Sequence, residues 1–232
     1  MQEAIDAHVE KWTPREGLFA RASIINSSIL LEAAANACID TLDLGKLFFS
    51  DIDKLSVISK FEYFLQIRKP EKKLDRGALP VQQAQELVGI RNLIVHPKPY
   101  TTEWKKIDEK TFSADLGETQ YLKLPKSFVV LKHTEALAAI KAVMSFLNYF
   151  FKDVCEISEN EVCAFLTSDI KYPPPKNLGF GINHTWIGWH DRWDIDVDFL
   201  VDVNFVKTKE AEFREYLKRE KTEKYGDHDK NT

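Results

Sequence analysis

The segment from Thr134 to Val154 limits the fold more than any other part of the chain. Leu137, Ile140, Val143, Met144, Leu147, Phe150 and Phe151 recur at intervals of three and four residues, so they share one side of a helix and call for a core of matching size. Thr134 is the predicted cap of this helix. A chain of 232 residues can bury such a core and still carry a smaller appended unit.

Three helices are predicted ahead of it. The first covers Glu16 to Leu42, between Pro14 and Gly45, and its apolar stripe reads Leu18, Ala22, Ile25 and Ile29 before continuing through Glu32 and Asn36. A carboxylate and an amide on a core-facing stripe need partners, because burying either alone is costly. The second covers Asp53 to Ile67, with Leu55, Ile58, Phe61, Phe64 and Leu65 on a broad apolar side, and a polar connection from Lys69 to Gly77 follows it. The third begins near Pro80 and is ended by Pro97, which puts His96 in or just beyond its last turn.

Residues 100–131 have little helical periodicity and read as an insertion, in which Thr111 to Asp115 and Gln120 to Leu124 are expected to pair as a hairpin. After residue 154, Ser158 and Glu161 have the spacing of a capping box and open a short helix before Pro173, Pro174 and Pro175. The alternation Ile195, Val197, Phe199, Val201, Val203, Phe205 predicts a strand with an acidic outer face, and a charged helix is expected from Lys207 to about Tyr225. The fold expected is mainly α: an up-and-down bundle over residues 1–154 with a small β-containing insertion, and an α/β extension over residues 155–232.

An apolar fraction of 44% with 29% charged residues is ordinary for a cytoplasmic globular protein, and no membrane span or signal peptide is predicted. The formal charge of −4 argues against nonspecific coating of long nucleic acid, though a local basic site for RNA is compatible with it. Cys38, Cys155 and Cys163 lack the paired spacing of a zinc site or a disulfide framework, so reduced thiols are expected. His184 and His190, beside Asp191, match no zinc spacing, and neither a metal nor another cofactor is expected; the tryptophans 186, 189 and 193 suggest aromatic packing. Asp194, Asp196, Asp198 and Asp202 lack the glycine and terminal glutamate of a calcium loop.

The third helix has two faces. Ala84, Leu87, Val88, Ile90, Ile94 and Val95 form an apolar arc, while Gln85, Gly89, Asn92 and His96 form a separate stripe. Arg91 lies within the apolar arc, so its guanidinium must reach an edge or meet a carboxylate, and Glu32 is the natural candidate, with Asn36 nearby. Gly89 costs about 1 kcal/mol relative to Ala in mid-helix, and close approach of a backbone or a ligand to the stripe would account for its presence.

Arg91-Asn92-Leu93-Ile94-Val95-His96 resembles the Arg-x4-His motif of the HEPN superfamily, and Leu31-Glu32-Ala33-Ala34-Ala35-Asn36 with the long apolar helix after residue 134 supports the likeness over roughly residues 16–154. The resemblance implies a helical bundle that dimerises through its motif helices, and a metal-independent endoribonuclease. It further implies that Arg91, Asn92 and His96 are catalytic, with Glu32, Asn36 and Lys98 in support and RNA as the substrate. A defence or toxin role with an antitoxin or nucleotidyltransferase partner would fit it. Lys69, Lys72, Lys73 and Arg76 would hold phosphates with Lys98 if they lie near the cleft, and are otherwise a solvated loop. A noncatalytic HEPN module that binds a protein or a nucleotide, and a purely structural helical domain, are the alternatives.

Overall fold

In a computed structural model the described residues are 14–45, 50–97, 104–106, 112–114, 116–126, 131–166 and 184–226. They form a mainly α-helical bundle. Helices α1 (Pro14–Asp40), α2 (Val57–Arg68), α3 (Leu79–Val95) and α4 (His133–Asn148) enclose the core. Strands β1 (Trp104–Lys106) and β2 (Phe112–Ala114) stand between α3 and α4 in the chain, and α5 (Glu159–Leu166), α6 (His184–Trp193) and α7 (Val203–Gly226) follow.

Helix α1 does not bury the stripe that its largest side chains suggest. Leu18 and Ile29 are 62% and 48% exposed, whereas Ala20, Ile24, Ser27, Leu31, Ala34, Ala35 and Cys38 face the core. Small side chains explain the reversal, because they let α2, α3 and α4 approach the α1 backbone closely. By length and hydropathy alone α1 could cross a membrane, but 44% of its most apolar window is buried inside the bundle. Glu16 accepts hydrogen bonds from the His133 backbone N–H (3.1 Å) and meets His133 Nδ1 at 2.7 Å, so α1 and α4 start at the same end and run alongside each other in one sense. A strict alternation of four helices would not give that pairing.

Local chemistry sets the helix ends. Ser56 caps α2 by accepting from Ser59 N, so the helix starts at Val57, four residues later than the predicted start at Asp53. Helix α4 is capped through Glu135, whose carboxylate accepts from Lys132 N at 2.6 Å, and not through Thr134. Beyond Asn148 the chain widens into a π-helical turn, Tyr149–Val154, closed by the Cys155 N–H on Phe150 O at 2.8 Å. Phe150 and Phe151, adjacent within this turn, are both fully buried. Phe61 packs edge-on against Phe146, Phe150 and Phe151, and Phe199 stacks on Phe151.

The expected hairpin and the expected C-terminal strand both need correction. Phe112–Ala114 does pair antiparallel, but with Trp104–Lys106 in the register Trp104↔Ala114, and residues 120–122 instead turn around a side chain of α3. No strand is found among the described residues after 155. Ile195, Val197 and Phe199 are buried in alternation, yet the Asp198 N–H turns back to Asp196 Oδ1 and Leu200 N to Val197 O. Asn148 replaces a neighbouring strand: its amide donates to Asp196 O at 3.1 Å and accepts from Phe199 N at 2.7 Å. Asp202 then caps α7 through Phe205 N, which starts that helix at Val203 and leaves Phe205 exposed.

Candidate functional site

The polar stripe of α3 is open. Gly89, Asn92 and His96 are exposed and Gln85 is half-buried, while Val81, Ala84, Leu87 and Ile90 face the core. His96 ends the helix, its backbone N–H donating to Asn92 O at 2.9 Å, and its side chain lies in solvent. A Cβ added at Gly89 would meet no atom within 4 Å, so nothing in the described chain uses the space that the glycine leaves.

Arg91 sits at the edge of this stripe. Its Nη1 donates to Asn92 Oδ1 at 3.0 Å, and its Nη2 lies 3.8 Å from Glu32 Oε2. The side chains of Arg91 and Glu32 are 31% and 43% exposed, so the pair is partly solvated and not a buried charge pair. A long contact in this setting is worth no more than about 1 kcal/mol, and Glu32 is not the core-facing carboxylate that the apolar stripe of the first helix suggested.

Asn36 belongs to a different network, which the sequence did not reveal. Its Oδ1 accepts from Lys60 Nζ at 2.7 Å, and Lys60, only 3% exposed, also meets Asp53 Oδ1 at 3.1 Å. Burial pushes the Asp40 carboxyl up and the Asp53 charge adds to this, against the opposing pull of Lys60. A lysine at an apolar position, four residues from Ser56 and between Ile58 and Phe61, was the one available sign.

A second anchor joins α3 to the insertion. The Glu86 carboxylate accepts from three successive backbone N–H groups, those of Gln120 (2.7 Å), Tyr121 (3.0 Å) and Leu122 (2.9 Å). Such a concave run of donors is a ready anion cradle, and here the helix itself fills it.

The other expected groups are engaged locally. Arg76 forms a two-pronged pair with Glu62, and Lys72 pairs with Glu156 at 2.7 Å with Lys69 at 3.9 Å, so these cations serve the bundle; Lys98 lies outside the described residues. Asp191 is held by His190 and Lys207, Asp194 by Lys141, and Asp198 by Lys152. No three His, Cys, Asp or Glu side chains converge among the described residues. Cys38, Cys155 and Cys163 are buried, and burial pushes the Cys155 thiol up to about 12. No family model matches the chain, nor does any curated protein or solved structure.

Proposed function

We propose that this protein is a HEPN-type endoribonuclease that needs no metal and works as a homodimer with its motif helices facing one another. The open stripe of Gly89, Asn92 and His96, with Arg91 at its edge, is the observation that carries the reading. A mid-helix glycine with free space above it suits close approach of a second helix, and the exposed Val95 on α3 and Ile29, one turn before Glu32 on α1, supply apolar surface for the contact. In this reading residues 16–154 are a HEPN-type helical core in which α1 and α4 run in one sense, and the additions at 100–131 and 155–232 adapt it to its RNA or to an antitoxin or nucleotidyltransferase partner.

The chemistry is proton transfer and charge stabilisation. His96 acts as base or acid on the ribose 2′-hydroxyl, whose oxygen attacks the adjacent phosphorus, and the 5′-oxygen departs with a proton. Arg91 offsets the added negative charge of the phosphorane-like transition state, and Asn92, already hydrogen-bonded to Arg91, orients the phosphate. The products are a 2′,3′-cyclic phosphate and a 5′-hydroxyl. A noncatalytic HEPN module that binds a protein is the second reading, favoured by the engagement of Arg91 with both Glu32 and Asn92 beside exposed apolar surface.

Incubating the purified protein with single-stranded RNA and with DNA of the same sequence, in EDTA, separates the two. Cleavage of RNA alone, lost in His96→Ala, is the expected result. Cleavage that persists in His96→Ala points to another site, and no cleavage of any RNA leaves the binding module.

A further inference from the structure

The turn over residues 117–126 is closed on itself and fixed to α3, yet it leaves an aromatic side chain outside. The Lys126 N–H donates to Gly117 O at 2.9 Å, Glu118 and Pro125 form an isolated antiparallel bridge, and the Thr119 N–H donates to Leu124 O at 2.9 Å. The Leu124 N–H returns a bond to Thr119 Oγ1 at 3.0 Å, and Leu122 and Leu124 are buried. With the Glu86 carboxylate holding the amides of Gln120, Tyr121 and Leu122, the tip has little freedom. Tyr121 is nonetheless 36% exposed.

The residues at the tip suit a partner better than they suit the turn. A tyrosine whose backbone is already fixed loses little conformational freedom on making a contact. Lys123 holds a φ of +55°, a left-handed conformation that Gly or Asn adopts more readily, so lysine is a poor choice there for the turn alone. Lys123 and Lys126 are exposed and make no ion pair among the described residues, whereas Lys72, Arg76, Lys141 and Lys207 are each paired. Glu118 is the one acid in the turn, and Glu86 beneath it is met by three backbone donors. An exposed ring beside unpaired lysines fits a single nucleic-acid strand, in which every base has a face to stack and the phosphates complement the lysines. A duplex hides those faces.

Glu86 and His96 are ten residues apart on α3, about 15 Å along its axis and about 80° around it, so the tip flanks the polar stripe on the N-terminal side. A stacked strand advances about 3.4 Å per nucleotide, and 15 Å is about four such steps. We propose that Tyr121 and Lys123 form a docking platform for single-stranded RNA, with Tyr121 stacking on a base about four nucleotides from the cut and Lys123 holding a phosphate beside it. The proposal rests on the ribonuclease reading above, since it places the cut at His96.

Fluorescence anisotropy on the full chain, with a short labelled single-stranded RNA methylated at every 2′-oxygen, tests the proposal. That strand has no 2′-hydroxyl to attack with, so binding is read apart from cleavage. Tyr121→Ala weakens binding about fivefold or more with an unchanged salt dependence, and Tyr121→Phe binds like the wild type. Lys123→Gly, which suits the backbone, weakens binding without lowering melting and reduces the slope of log affinity against log salt by about 0.7. On cleavable RNA, Tyr121→Ala raises KM for a long strand and leaves that for a dinucleotide unchanged, and an equal effect on both overturns the placement. Unaltered binding in Tyr121→Ala and Lys123→Gly, no saturable binding by the wild type, or equally tight binding of a duplex or an acidic peptide overturns the platform, even where His96-dependent cleavage is present. Binding that depends on Tyr121 in a chain that cuts no RNA supports the platform and removes the ribonuclease reading instead.

Discussion

Lys60 Nζ lies 2.7 Å from Asn36 Oδ1, and this one hydrogen bond ties a nearly dehydrated ammonium group on α2 to α1, one turn beyond Glu32. Its other partner, Asp53, is 62% exposed and can recover water at little cost, so most of what Lys60 contributes is its packed stem and its bond to Asn36.

Lys60→Ala should therefore lower stability by on the order of 3 kcal/mol, from lost packing plus an unpaired amide. Lys60→Met keeps the volume and should cost only about 1 kcal/mol. Urea unfolding of both proteins measures the difference. Equal losses would mean that the charge, and not the stem, carries the contribution.

Gly89→Ala should raise the stability of the isolated chain by up to about 1 kcal/mol, or roughly 2–4 °C in Tm, because the helix gains a better former and the added methyl meets nothing. The same change should weaken self-association if a second helix approaches there. Melting and sedimentation equilibrium on the same samples give both readings, and a stabilised variant with unaltered association removes Gly89 from the interface.

His96→Ala should slow RNA cleavage by roughly 100-fold or more and leave melting unchanged, since the imidazole is exposed. Arg91→Ala should slow cleavage as well, and its stability cost should stay below about 1 kcal/mol because its contact with Glu32 is long and half-solvated. A loss of several kcal/mol in Arg91→Ala would show that the guanidinium carries packing that the exposed pair does not explain.

The thiols give a pH signature. Burial holds the Cys155 thiol at about 12 in the folded chain against an ordinary value of 9.0, so the folded state keeps its proton where the unfolded state has lost it. The contribution is complete below pH 9 and declines as pH rises toward 12. Comparing wild type with Cys155→Ala, the wild type should lose on the order of 2 kcal/mol more over about 1.5 pH units above that ordinary value. Parallel curves would show that Cys155 is ionised or solvated in the fold. At neutral pH all three cysteines should resist alkylation until the chain unfolds.

The helices of the bundle were legible because their side chains repeat at helical spacing, and α3 was bounded by Pro80 and Pro97. The inward face of α1 was not, since bulk marks hydrophobicity but smallness marks close packing, and α1 has both on different sides. The segment around Ile195, Val197 and Phe199 misled for a related reason: alternation reports that every second side chain is buried, and Asn148, distant in sequence, supplies the backbone bonds that a strand would have needed. Asn92 and His96 could be placed on one stripe from spacing, whereas Arg91 fell on the apolar arc and was grouped with them only through the likeness to the Arg-x4-His motif. The partners of Lys60 and Glu86 could not be read from spacing, because they come from other elements.

The grip of Glu86 on residues 120–122 makes the turn after the β1–β2 pair and the middle of α3 a single mechanical unit. Peeling the turn away would expose one carboxylate and three amide hydrogens together, so those amides should exchange with solvent in concert and only when the turn lifts from the helix. A molecule that seized this turn would be pulling on the same helix that presents His96, about 15 Å further along.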